Sequence, residues 1–176
     1  MIQPNPEIEV IINSAGENAK KYNHEYVRLE HLLHAMVSYK PFYELLVNFG
    51  IDVNNVIKDI NDYHDRADYL ISKDLDCNPK KTHALERVFN RALTQVLFTG
   101  RSHMQVLDLF VSIQGEGNSH AHYFMMKHGM DRQKLVEFYN ENYQENKGRK
   151  NATKQRATEI LNEYCDDLNQ IGRAHV

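Results

Sequence analysis

Several signals that would point to a location or a chemistry are missing from this 176-residue chain. No apolar run approaches the ~20 residues that a membrane-crossing helix requires. The amino terminus, Met1-Ile2-Gln3-Pro4-Asn5, lacks the basic-then-apolar profile of a secretion signal. Only two cysteines occur, Cys77 and Cys165, and neither has a second cysteine at metal-ligating spacing. Such isolated thiols are expected to be reduced, which points to the cytoplasm. A net charge of −3 gives no electrostatic case for nucleic acid as the main partner.

Catalytic and metal-binding patterns are missing too. Ser14, Ser38, Ser72, Ser102, Ser112 and Ser119 lack a flanking glycine elbow, and no nucleophile–base–acid set can be assembled, so catalysis is not expected. Ten histidines invite a metal reading. His31 and His34 are three apart on one helix, and His120 and His122 flank Ala121, but neither pair is completed by a carboxylate or cysteine at a recognised spacing. Surface or helix-capping roles are therefore expected for the histidines, and no metal or cofactor is expected in this chain.

What the chain does contain is a duplication. Residues from about Val10 to Met36 align without a gap against Arg87 to Ile113, each pair 77 positions apart. Asn13 matches Asn90, Ala15 matches Ala92 and Leu32 matches Leu109, while Ile12/Phe89, Leu29/Val106, Leu33/Phe110 and Met36/Ile113 keep apolar character. Phe49-Gly50-Ile51-Asp52 returns as His128-Gly129-Met130-Asp131. Self-similarity at fixed spacing is the mark of one supersecondary unit used twice.

Each copy reads as helix. Ile11, Ile12, Ala15, Ala19 and Tyr22 form one helical face, and Leu29, Leu32, Leu33, Met36 and Val37 form a second. Pro41 suits the first turn of a third helix, which buries Leu45, Leu46 and Phe49. At Gly50-Ile51-Asp52, glycine can turn left-handed past the helix end, the apolar residue folds back, and the aspartate can cap the next helix. Gly129-Met130-Asp131 is expected to do the same. Gly100 should end the first helix of the second copy, and Gly115-Glu116-Gly117-Asn118-Ser119 should be a capping loop. Asp65 to Lys81 reads as a linker between copies. The fold class expected is thus all-α, two pseudo-repeated four-helix units (about 6–65 and 82–140) packed as one compact domain. A polar linker (141–153) and a C-terminal helix follow.

The run Tyr22-Asn23-His24-Glu25-Tyr26-Val27-Arg28-Leu29-Glu30-His31-Leu32-Leu33 resembles the Clp N-terminal domain, whose signature is a Glu-His-Leu/Ile-Leu core after a short loop. The doubled unit, the Gly-Glu-Gly loop and the Gly-apolar-Asp corners fit that family, and the resemblance covers about residues 6–140. Within it, the chain looks like the ClpA branch, unfoldases that feed the ClpP protease. Glu163-Tyr164-Cys165-Asp166-Asp167-Leu168-Asn169 is similar to the entry into a first AAA+ module, here residues 154–170, but no Gly-x-x-x-x-Gly-Lys-Ser/Thr sequence occurs. ATP and Mg are accordingly expected only for an ATPase region absent from this chain. The ending Ile171-Gly172-Arg173-Ala174-His175-Val176 departs from the family pattern, and ATC GGA AGA GCA CAC GTC, which would encode it, resembles a sequencing-adapter read; an artefactual tail over 171–176 is expected.

The resemblance implies a binding function. Positions matching His24, Glu25, Glu30, Thr82 and Arg87 contact the ClpS adaptor in the ClpA branch, a mixture suited to a polar, charge-matched docking surface. Without the family, Glu25 and Glu30 read as exposed carboxylates at a helix start, worth about 0.3–1 kcal/mol through the helix dipole. Two departures stand out. Arg28 replaces the usual Thr or Ser cap, so that helix start must be satisfied differently. The second copy reads Leu107-Asp108-Leu109-Phe110, which disfavours the two-site phosphoarginine binding of the ClpC branch. The family also implies a shallow apolar groove for unfolded or tagged clients, to which Met125 and Met126 could contribute, although core is the stronger reading for both. The function expected is adaptor and substrate recruitment for a ClpA-like unfoldase, with ClpP reached through the missing ATPase. The alternative is a free-standing decoy or regulator of adaptor or client binding.

Overall fold

The computed structural model describes residues 3–143. Its elements, in order, are β1 (Gln3–Pro4), α1 (Pro6–Lys21), β2 (Tyr26–Val27), α2 (Leu29–Ser38), α3 (Lys40–Phe49), α4 (Val53–Arg66), a 3₁₀ turn (Asp68–Leu70), β3 (Lys80–Lys81), α5 (His83–Phe98), β4 (His103–Met104), α6 (Val106–Gln114), α7 (His120–Lys127) and α8 (Arg132–Asn142). The described part of the chain is all-α in character, as expected. It divides into two compact units, Met1–Arg132 and Gln133–Val176. The second is described only through α8 and Tyr143, where Tyr139 and Tyr143 stack with ring centroids 5.7 Å apart. Most of the expected polar connector, the C-terminal helix and Cys165 lie outside the described residues.

The 77-residue offset governs the burial. In α1 the buried residues are Ile8, Ile11, Ala15 and Ala19; in α5 they are Leu85, Val88, Ala92 and Val96, the same four positions. Each stripe packs on the following helix, α1 on α2 and α5 on α6. Helix α2 is the centre of the first unit, with Leu29, Leu32, Leu33, Ala35, Met36 and Val37 all buried, and it also contacts α3, α4, α6 and α7. A helix apolar on every side has to be covered on every side.

The glycine turns of both corners, and the aspartate cap of the first, obey the expected chemistry. Gly50 has φ 108°, and the Ile51 N–H donates to Leu46 O at 2.9 Å, closing α3 with a folded-back turn. Asp52 then caps α4, its side chain accepting from the Asn55 N–H at 3.3 Å. Gly129 has φ 71°, and the Met130 N–H donates to Met125 O at 2.9 Å. Gly100 ends α5 with φ 70°; its counterpart in the first copy is Asn23, φ 54°. Asparagine is the residue that best tolerates that region after glycine. The bonds that follow also correspond, His24 N–H to Ala19 O at 3.0 Å and Arg101 N–H to Val96 O at 3.2 Å.

The short strands reveal how the two copies are joined. β1 pairs in parallel with β4, and β2 with β3. By the same 77-residue offset, β1 corresponds to β3 and β2 to β4. The segment leading into each copy therefore pairs with the other copy, in a reciprocal exchange. The segment from Asp65 to Lys81, read from sequence as a linker, is consequently stitched down. The Glu25 N–H donates to Leu70 O (3.1 Å), Ser72 N–H to Asn23 O (2.8 Å) and Lys80 N–H to Glu25 O (3.0 Å). The Asn23 side-chain amide adds bonds to the carbonyls of Ser72 and Asp74. A charged clasp joins α4 to α7, with Asp59 accepting from Lys127 Nζ at 2.8 Å and pairing with His128 Nε2 at 2.7 Å.

Candidate docking site

Three of the five candidate residues line one polar cleft of about 380 Å³: Glu30 on α2, Thr82 at the start of α5, and Arg87 on α5, with Arg28 and the 115–119 loop completing it. Thr82 caps α5, its hydroxyl accepting from the Leu85 N–H at 3.1 Å, which anchors the wall where β3 meets the helix. Arg87 is exposed and pairs with Glu116 at 3.0 Å, with Arg91 3.6 Å from the same oxygen. The glycine-rich loop ends in Ser119, which caps α7 by accepting from the His122 N–H at 3.0 Å. Glu25 is not in the cleft. It sits exposed on the 22–28 loop, whose backbone is bonded on both sides to the 70–82 segment.

Glu30 corrects the expectation of an exposed helix-start carboxylate, for it is only 1% exposed. Its carboxylate faces the backbone of Ala121, in the first turn of α7, and its Oε1, which makes no hydrogen bond, pairs electrostatically with Arg28 Nε at 3.3 Å. Burial raises its pKa, partly offset by Arg28, by His120 and by backbone donors. A carboxylate aimed at a helix N-terminus satisfies free N–H groups and complements the dipole. Glu30 thus joins α2 to α7 and fixes one wall of the cleft.

Buried His24 and His64 correct the expectation of surface or helix-capping histidines, while His31, also buried, has the capping role. His24, His31 and His64 are 1%, 0% and 3% exposed. His31 is the substitute cap that Arg28 made necessary: its Nδ1 accepts the Arg28 N–H at 2.9 Å. Because a backbone N–H can only donate, the His31 proton must sit on Nε2. That nitrogen faces His24 Nδ1 at 2.8 Å, so His31 donates and His24 accepts. His64, from α4, stacks on His31 with centroids 4.6 Å apart and an interplanar angle of 18°. Stacked rings direct their nitrogen lone pairs side by side, not to one point, and no metal-binding group of three or more side chains occurs among the described residues.

The second copy holds the same arrangement in different chemistry. His24 corresponds to Arg101 and His31 to Asp108. Asp108 accepts the Gln105 N–H at 2.8 Å, in the capping role His31 has, and binds the Arg101 guanidinium through two bonds of 2.6 and 3.0 Å. Matching complementary pairs at a constant offset, both members replaced together, is the sequence signal by which this cluster could have been found.

A second cleft, about 360 Å³, lies where α1 faces α5 and is mixed in character, with Ile12, Val27, Leu85 and Phe89 lining it beside the charged Glu17 and Lys20. Met125 is fully buried, in line with the core reading, whereas Met126 is 49% exposed.

Comparison with known proteins agrees with this architecture. Residues 3–128 match the family model of the Clp repeat (R) N-terminal domain. A ClpA homolog protein of Fuscovulum blasticum is 26% identical over 179 aligned positions, which span 92% of this chain and 23% of that relative. The chain therefore spans about a quarter of the length of the curated relative it matches. Among solved structures, the Hsp104 N-terminal domain of Candida albicans superposes with a TM-score of 0.66 at 14% identity, covering 78% of this chain and 89% of that one. A chain from work on the type VI secretion ATPase ClpV, its TssB–TssC sheath and the accessory HsiE protein gives 0.58 at 20% identity, covering 80% and 87%. At such identities the structural likeness speaks for the fold. With a family model matched over most of its length, the doubled helical unit is identified: this chain belongs to the Clp repeat N-terminal domain family, in a ClpA-like form.

Proposed function

We propose that this chain is a docking domain that recruits a ClpS-like adaptor, or a client polypeptide directly, to a ClpA-like unfoldase. Its role is binding and not catalysis, in the reducing cytoplasm, and ClpP would be reached only through an ATPase region outside this chain. The observation that carries the reading is the polar cleft in which Glu30, Thr82 and Arg87 meet, with Glu25 exposed on the loop stitched beside Thr82. Residues distant in sequence and chemically mixed suit a charge-matched protein surface.

Burial divides the five residues by role. Glu25 and Arg87 are exposed and can touch a partner; Thr82 is half-buried and holds the start of α5. His24 and Glu30 are buried and serve as positioning residues. The α1–α5 cleft, where Ile12, Val27, Leu85 and Phe89 lie beside charged Glu17 and Lys20, is the natural place for a short amphipathic stretch of an unfolded client.

The test is titration of the purified chain with a ClpS-like adaptor. Glu25→Lys and Arg87→Ala should each weaken binding about 5–30-fold, or about 1–2 kcal/mol, with unchanged helicity and melting temperature. Unchanged affinity in both variants, or no binding at micromolar concentration by the folded chain, rejects the adaptor role.

A further inference from the structure

A proton added to either ring of the His24–His31 pair has nowhere to go without breaking a bond already made. On His31 it would occupy Nδ1, which accepts the Arg28 N–H at 2.9 Å, and two donors would then face each other. On His24 it would occupy Nδ1, which accepts from His31 at 2.8 Å, with the same result. His64 could take a proton without losing a bond, but neither of its ring nitrogens finds a hydrogen-bond partner among the described residues. Its charge would lie buried against the His31 ring.

The surroundings do not relieve this. At the end of α1, Lys21 acts on His34, and Tyr22 packs on both His24 and His64. From α2 come the Arg28 guanidinium and His34, both of which disfavour further positive charge on His31 and His64. From α4, Tyr63 packs on His64, while Asp65 acts on the Tyr22 hydroxyl. From α7, His120 stacks on Tyr63 with ring centroids 4.5 Å apart. The nearby buried carboxylate, Glu30, is paired with Arg28 and faces the start of α7.

These rings also hold something together. His24 ends the turn after α1 and bridges to Ile71, His31 caps α2, and His64 comes from α4. In the second copy the same junction is held by the Arg101–Asp108 ion pair, with no imidazole at either position.

We propose that His24, His31 and His64 form an acid-sensitive latch, which fastens the 22–28 loop and the attached 70–82 segment at neutral pH and releases them in mildly acidic solution. The equivalent junction of the second copy stays closed. The latch goes beyond the docking role and operates whether or not a partner binds.

Burial holds His31 down at about 2 and His64 at about 3 in the closed form, against an ordinary value of 6.5. Closed-state stability is therefore complete above about pH 6.5 and is lost as the pH falls below it, because only the open form takes up protons. Each ring multiplies the opening constant about tenfold per pH unit below 6.5, so His31 and His64 together give about two to three orders of magnitude between pH 7.5 and 5.

Amide hydrogen exchange on the whole chain, corrected for intrinsic rates, tests this with an internal control. The amides of Glu25, His31 and Ser72 should lose about 100-fold or more protection on going from pH 7.5 to 5, whereas those of Arg101 and Asp108 should lose less than about fivefold. A fall in step across both copies, or less than a fivefold change in the first, overturns the latch. The double variant His24→Arg/His31→Asp, which grafts the second copy's pair, should remove most of the response. Should that graft not fold at pH 7.5, His64→Leu removes one titrating ring and should cut the response about tenfold or more. A full wild-type response in whichever variant folds also overturns the latch.

Discussion

Replacing Asp108 by alanine is the sharpest probe of how the repeated junction is held. Its carboxylate accepts three bonds, one from the Gln105 N–H at 2.8 Å and two from Arg101 at 2.6 and 3.0 Å. Loss of the helix-start bond costs about 1 kcal/mol. The charge-assisted pair would be worth about 1.5–3 kcal/mol if buried, but the Arg101 side chain is 34% exposed and can regain water, which about halves that figure. The sum for Asp108→Ala is about 2–2.5 kcal/mol, or a fall in melting temperature of roughly 5–10 °C for a domain of this size. Asp108→Asn keeps a cap acceptor and loses only the charge, so about 1 kcal/mol is expected. Urea unfolding at pH 7, followed by circular dichroism, measures both. A cost below 0.5 kcal/mol for the alanine variant, or equal costs for the two, would refute the assignment of cap and ion pair to one side chain. A cycle with Arg101→Ala should return a coupling of about 1 kcal/mol.

Two further substitutions separate holding from touching. Glu30→Ala removes the buried carboxylate that pairs with Arg28 and faces the first turn of α7 and should destabilise the chain by about 1–3 kcal/mol, while Glu25→Ala should change stability by less than about 0.5 kcal/mol; thermal melts distinguish them. Asn23→Gly keeps the left-handed turn but deletes the side-chain bonds to Ser72 and Asp74. Limited proteolysis should then cut faster within 72–79, with a stability loss of about 0.5–1 kcal/mol.

Helices and corners were legible in the sequence because their signals are local. Ile11, Ala15 and Ala19 repeat as Val88, Ala92 and Val96, and glycine at positions 50, 100 and 129 marks left-handed turns that the backbone indeed takes. The crossed strands were not legible, since two residues such as Lys80-Lys81 carry no alternation and owe their pairing to residues far along the chain. The same is true of the segment from Asp65 to Lys81. Its polar composition describes its side chains, but its order comes from main-chain bonds to residues 23–27. Within the candidate site, the family signature selected three residues that gather around one cleft but could not separate exposed Glu25 and Arg87 from buried His24 and Glu30. Burial of a charged residue at a helix start depends on what packs above it, here α7, which begins some 90 residues later.

The reciprocal strands have a consequence for how such a chain can be built and cut. Because each copy lends its leading segment to the other, the pair is self-complementary in the way a two-fold dimer is, with each donor matched by one acceptor. A single copy made alone would keep one unclaimed donor and one unclaimed acceptor, and two separate copies could satisfy them only by meeting. A third copy would find neither on offer. The double unit is therefore the smallest closed assembly of this module. Since the crossed strands treat the two copies alike, they give a partner no reason to prefer one copy, and any such preference must be written elsewhere.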